Sequence, residues 1–262
     1  MRLVGVGVGP GDPEMLTVAA LREIQQADTV FVPVLSPEDE GRAEAVVRTH
    51  VGTSDERVQR LVFALADPVG GPQGHRRQRW DDAAEIVVES LRERGGTVVF
   101  ATLGDPTVYS TFTYLSSAVS ELLPEVETAT VPGITAMQAA ASQAGVSLVE
   151  GTEPLTVIPL AREVNTVREA LDSGGTVVAY KGGRRLGELR TAIAESGALA
   201  RAVYAEHLGT PDARVLPLSE VGISDVDGSE VAGTRSGQRA EPAPYLSTVV
   251  VLPPRGARGE QL

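Results

Sequence analysis

Leu103-Gly104-Asp105-Pro106-Thr107-Val108-Tyr109-Ser110-Thr111-Phe112 follows the apolar run Val98-Val99-Phe100-Ala101 and leads into a helical pattern that runs from Val108 to Leu122. A buried strand that passes through glycine, an acid and proline into a helix is a strand-to-helix loop. Gly104 lets a ligand approach the backbone, and Pro106 suits a helix start. The free N–H groups of the first helical turn face whatever lies above them, so the loop reads as the floor of a ligand site. Taken alone, it could equally be an ordinary loop in which Asp105 caps the helix.

The same alternation extends in both directions. Leu3-Val4-Gly5-Val6 is strand-like, Glu14 to Gln26 carries Leu16, Ala19, Ala20 and Ile24 at helical spacing, and Thr29-Val30-Phe31-Val32 is a strand again. A helix over 41–48, a strand at 61–63 and a helix over 81–94 that ends at Gly95-Gly96 precede the Val98 strand. Such β-α alternation predicts a mostly parallel sheet with helices on both faces. Pro124 and Thr130-Val131-Pro132-Gly133 mark a boundary, giving an N-terminal α/β domain over 1–128 and a C-terminal α/β domain over 129–262. The second half opens with a helix over 134–144. It continues with strands at 155–158, 176–179, 202–204 and 248–251 and helices over 164–171 and 186–195, a pattern that predicts a mixed sheet. The stretch 222–241 lacks periodicity and reads as a surface loop, and 253–262 as a frayed tail.

Bulk composition narrows the functional classes. The chain has 262 residues, 42% of them hydrophobic, with no apolar run near membrane-span length and no signal-peptide pattern at Met1-Arg2, so a cytoplasmic protein is expected. Without cysteine there is no disulfide, thiolate nucleophile or thiolate metal ligand, and His50, His75 and His207 lack ligand spacing, so no metal is expected. A net charge of -12 disfavours nucleic acid and anionic lipid as partners. Lys181 is the one lysine among 23 basic residues, which suggests that its position needs an ammonium.

Gly5-Val6-Gly7-Val8-Gly9-Pro10-Gly11-Asp12-Pro13 closes the first strand. A dinucleotide fingerprint needs glycine at i, i+2 and i+5, but the third place holds Pro10 or Asp12, and no Gly-Lys-Ser/Thr of a P-loop follows. What remains is a low-bulk loop capped by Asp12.

This opening, the Leu103-Gly104-Asp105-Pro106 loop and Val131-Pro132-Gly133-Ile134-Thr135-Ala136 resemble, in order and spacing, the tetrapyrrole methylases, which are class III S-adenosylmethionine-dependent methyltransferases. Trp80 before a helix, Tyr109-Ser110-Thr111-Phe112 and Pro244-Tyr245-Leu246-Ser247 are most similar to the branch that methylates carbon 20 of precorrin-2. The resemblance implies two α/β domains with S-adenosylmethionine in the cleft between them. By motif position it implies cofactor contacts from Pro10, Leu103, Gly104, Asp105 and Val108 and, in the second half, Thr135, Ala136, Tyr180, Leu208 and Thr248. It further implies a homodimer and a tetrapyrrole substrate, precorrin-2 or cobalt-precorrin-2. Uroporphyrinogen III, precorrin-4 or diphthine-type substrates are the alternatives.

Methyl transfer from a sulfonium asks chiefly for alignment, after which a proton leaves the methylated ring. A carboxylate near the ring would stabilise positive charge and assist that loss, which makes Asp105 the leading catalytic candidate beside its capping role. Tyr245 offers a phenol, and Lys181 a cation for a substrate carboxylate. Arg76, Arg77, Arg79, Arg184 and Arg185 are the concentrated guanidinium sites for a polyanionic ring. Trp80 reads as a core anchor.

Overall fold

A computed structural model describes residues 1–63, 73–159, 164–180, 185–222 and 246–255, with side chains over 73–78 left aside. The chain divides into two compact units, Met1–Thr135 and Ala136–Leu262.

The first unit is built on a five-stranded sheet of order β3-β2-β4-β1-β5, comprising β1 (Arg2–Gly7), β2 (Thr29–Val34), β3 (Val58–Val62), β4 (Thr97–Thr102) and β5 (Glu127–Val131). Every pairing is parallel. Helices α1 (Val18–Gln26) and α2 (Arg42–Val51) cover one face, where Ala20, Ile24, Val46 and Val47 pack with Val4, Val6, Val99 and Ala101. Helices α3 (Gln73–Arg94) and α4 (Phe112–Leu122) cover the other, where Val87, Leu91, Phe112 and Leu115 pack with Leu3, Val98 and Phe100. The period-two alternation along β1 and β4 thus feeds two separate cores. Gly5 faces α4, where a Cβ would stand 2.5 Å from the Phe112 ring, so its missing side chain lets that helix lie close to the sheet.

Several element boundaries differ from the sequence reading. Pro13–Met15 forms a separate 3-10 turn capped by the Asp12 side chain, and Thr17 caps α1 by accepting the Ala20 amide, so the helix starts at Val18. Helix α4 starts at Phe112 because Tyr109 adopts a left-handed backbone (φ 50°) that interrupts the helix. Helix α3 begins earlier than position 81. Strand β5, at the expected domain boundary, pairs with β1 as an edge strand. Buried Glu44 on α2 accepts bonds from Arg48 and from Arg60 on β3, each at 2.7 Å, tying helix to strand.

The second unit has a mixed sheet of order β6-β7-β10-β8-β9, with β6 (Leu155–Pro159), β7 (Thr176–Tyr180), β8 (Ala202–Glu206), β9 (Arg214–Pro217) and β10 (Thr248–Val251). Only β6 and β7 run parallel; the other pairings are antiparallel. Helices α6 (Asn165–Asp172) and α7 (Leu186–Glu195) pack Val167, Leu186, Leu189 and Ile193 with Val177, Tyr204 and Val249 in one core, while α5 (Ala136–Ala144) lies against β8, β9 and β10. The edge strand β9 was not read from the sequence. The loop expected over 222–241 falls, from 223 on, outside the described residues, as does the tail expected over 253–262 from 256 on.

Candidate functional site

The strand order creates a switch point. β1 and β4 are neighbours, yet the chain leaves β1 through α1 on one face and leaves β4 through α4 on the opposite face. Loops diverging from the carboxyl ends of adjacent parallel strands open a crevice there, the place where such sheets bind ligands. Both glycine-bearing motifs start at that point. Gly104 N–H donates to the Gly9 carbonyl at 2.7 Å, and the Gly9 N–H donates back at 3.4 Å, so the two loops form a short bridge.

A third loop completes the junction. A Cβ on Gly7 would stand 2.5 Å from the Gly104 carbonyl oxygen and 2.6 Å from the Gly133 amide nitrogen. One on Gly133 would stand 2.2 Å from the same carbonyl. The loops after β1, β4 and β5 therefore meet backbone against backbone, at a spacing only glycine permits. Gly104 has φ 70°, and the direction its Cβ would take is open, with no atom within 4 Å. The junction is tight beneath and free above.

Asp105 locks this arrangement. It is buried (8% exposed), its Oδ1 accepts the Thr107 amide at 2.8 Å and the Thr107 hydroxyl, and its Oδ2 accepts the Gly133 amide at 3.0 Å. Both carboxylate oxygens are thus engaged by protein donors. The Asp105 side chain bonds Thr107 and Gly133, and the first turn of α4, which starts at Phe112, is held by Ser110, whose Oγ accepts the Phe112 amide and contacts Thr102 Oγ1, both at 3.1 Å. Pro10 is buried, while Leu103 and Val108 are partly exposed on the same two loops. Tyr109 is 44% exposed, and burial of the rest of the ring pushes its phenol up from its ordinary value. A non-glycine residue in the left-handed region costs roughly 1–2 kcal/mol.

In the second unit, Thr248 opens β10 and is the register partner of Tyr180 at the end of β7 and of Ala205 near the end of β8. Tyr180 Oη accepts the Met137 amide at 3.0 Å, next to Ala136 in the first turn of α5. Buried Leu208 follows His207, which has φ 51° and lies just past β8. The fold therefore gathers Ala136, Tyr180, Leu208 and Thr248 at one end of the second sheet, and Thr135 directly precedes Ala136. Beside them, Glu206 Oε2 accepts the Tyr204 hydroxyl and Oε1 accepts Arg214, both at 2.7 Å. Burial, and then the Glu206 carboxylate, push the Tyr204 phenol far up.

Lys181, Tyr245 and Arg184 lie outside the described residues, as do the side chains of His75, Arg76 and Arg77. Arg185 pairs with Glu188. Trp80 stacks on Tyr114 with ring centroids 4.3 Å apart and packs beside the core under α3 and α4. Gly7 and Gly133 had no assigned role in the sequence reading. Their signal was a glycine at the last residue of β1 and another two residues past β5, but which glycines meet depends on strand order. Among the described residues no cluster of three or more His, Cys, Asp or Glu could hold a metal, and no helix is long and apolar enough to cross a membrane.

Residues 2–222 match the family model of the Tetrapyrrole (Corrin/Porphyrin) Methylases. The chain belongs to that family. It is 32% identical to a Sinorhizobium protein named precorrin-2 C(20)-methyltransferase over 95% of this chain and 94% of that one. It is 31% identical to the Mycobacterium bovis cobalamin biosynthesis protein CobIJ over 95% of this chain but 48% of the relative, so it spans about half the length of that protein. The crystal structure of the cobalt precorrin-4 methyltransferase CbiF shares the fold, with a TM-score of 0.66 at 18% identity over 95% of this chain and 94% of that one.

Proposed function

We propose that this protein transfers a methyl group from S-adenosylmethionine to carbon 20 of precorrin-2 or its cobalt complex, giving precorrin-3A or cobalt-precorrin-3A. The observation that carries the reading is the match to the Sinorhizobium relative over 95% of this chain and 94% of that one, together with the place of the three glycine-bearing loops within residues 2–222 that match the family model. The open space above Gly104 fits a bulky ligand lying on the backbone, because a side chain there would fill that space.

Pro10, Leu103, Gly104, Asp105 and Val108 line the proposed donor seat in the first unit. Thr135, Ala136, Tyr180, Leu208 and Thr248 are the remaining donor contacts. Bound there, S-adenosylmethionine supplies an activated methyl on sulfur. The chain's own contribution is orientation: rigid backbone amides and carbonyls fix the donor so that reaction needs little further ordering. Asp105 acts as a positioning residue, since both its oxygens hold the loops that form the seat. Lys181 and the arginines are assigned to the substrate carboxylates. Tyr245 is assigned to the reacting ring. The reading includes a cytoplasmic homodimer, whose state light scattering on the purified protein reads directly.

Incubation with methyl-labelled S-adenosylmethionine and precorrin-2, with and without cobalt, tests the reading. A product one methyl heavier, labelled at carbon 20, supports it. Label at another ring carbon, or transfer only to a different tetrapyrrole, replaces it with another member of the family.

A further inference from the structure

The described chain places glycine at eleven positions of positive φ, and it departs from glycine at only two such positions, Tyr109 and His207. Where a turn alone is needed, this sequence uses glycine. A bulky aromatic side chain retained at φ 50° has therefore been kept for what the ring does. Core packing is a weak reason, because 44% of Tyr109 remains exposed.

Its neighbours fix how the ring is presented. On one side Thr107 is bonded to Asp105 through both amide and hydroxyl. On the other, Ser110 contacts the last residue of β4, Thr102, and accepts the Phe112 amide. The backbone at Tyr109 is thus held from both directions, on the loop whose Gly104 faces open space. An aromatic ring held out in advance meets a large flat ligand without the entropy cost of ordering a mobile side chain.

We propose that Tyr109 is a substrate-contact residue, its strained backbone presenting the ring as a preformed aromatic surface for the tetrapyrrole macrocycle. This rests on the functional reading above and deepens it by assigning a residue to substrate rather than donor. The ring, not the hydroxyl, makes the contact.

The test compares Tyr109→Gly and Tyr109→Phe with wild type. Tyr109→Gly relieves the backbone strain and removes the ring, so its melting temperature stays level or rises. Its KM for precorrin-2 rises about tenfold, while its Kd for S-adenosylhomocysteine is unchanged. Tyr109→Phe restores the wild-type KM. An unchanged KM in Tyr109→Gly, or an equal loss of S-adenosylhomocysteine binding, overturns the assignment and leaves the methyltransferase reading intact. Wild-type protein that binds S-adenosylhomocysteine but neither binds nor methylates precorrin-2 overturns both.

Discussion

Asp105 Oδ2 accepts the amide N–H of Gly133 at 3.0 Å, joining the loop after β4 to the loop after β5. The same side chain caps its own loop through Thr107, so one carboxylate sets the spacing between two of the three backbones beneath the proposed donor seat.

Replacing Asp105 with Ala leaves the part-buried Thr107 and Gly133 amides without their acceptor, at a cost of roughly 1–3 kcal/mol for each that stays dry. Asp105→Ala therefore lowers the melting temperature and weakens S-adenosylhomocysteine binding by about tenfold or more. Asp105→Asn keeps one acceptor oxygen and falls between. Thermal melts and calorimetric titration of the two variants check this order. Turnover lost at unchanged binding and stability would restore Asp105 as a group acting on the substrate.

The glycines of the junction separate by kind. Gly133→Ala drives a methyl to within 2.2 Å of the Gly104 carbonyl, so it destabilises the fold near the upper end of the roughly 1–3 kcal/mol of overpacking. Gly104→Ala meets no atom within 4 Å and loses only the roughly 1–2 kcal/mol of a left-handed backbone. Denaturant melts of both variants should show Gly133→Ala as the more damaged fold.

Glu44 makes stability depend on acid. Burial pushes its carboxyl up, but hydrogen bonds from Arg60 and Arg48 outweigh this and hold it below its ordinary value. A carboxyl whose folded pKa is depressed stabilises fully above its unfolded value of about 4.3, and that contribution drains away as pH falls through the folded pKa. Glu44→Gln is therefore less stable at neutral pH, and its melting temperature falls less steeply than wild type below about pH 4. Parallel slopes in the two proteins would remove Glu44 from the acid response.

Trp80 stacks on Tyr114 with an interplanar angle of 4°, and it is the chain's sole tryptophan. Tyr114→Ala should cost about 1 kcal/mol beyond lost area. It should also shift tryptophan emission to the red as the indole gains solvent. Fluorescence-monitored urea melts read both effects.

How much of this was legible beforehand varies from element to element. The parallel sheet was readable because Leu3 to Val6 and Val98 to Ala101 are continuous apolar runs, as strands covered on both faces must be. The start of α4 was not. Val108 and Tyr109 fit a helical pattern, and only the backbone itself, with Tyr109 at φ 50° between the local bonds of Thr107 and Ser110, reveals the left-handed break. Strands β5 and β9 escaped because, unlike the edge strands β3 and β6, they hold no fully buried side chain, so hydrophobic alternation marks them weakly. Pro10, Gly104 and Asp105 could be picked out by their loop chemistry. The partners of that chemistry, Gly7 and Gly133, could not be paired with Gly104, because their meeting follows from the order β4-β1-β5, which local sequence does not encode.

The account stands on the glycine junction being the donor's seat, and calorimetric titration of S-adenosylhomocysteine into wild type and Gly104→Val tests it most directly. Saturable binding to the wild type, abolished in a Gly104→Val protein that still melts cooperatively, is the predicted result. No heat with the wild type, or equal affinity in the variant whose side chain fills the space above Gly104, would contradict it.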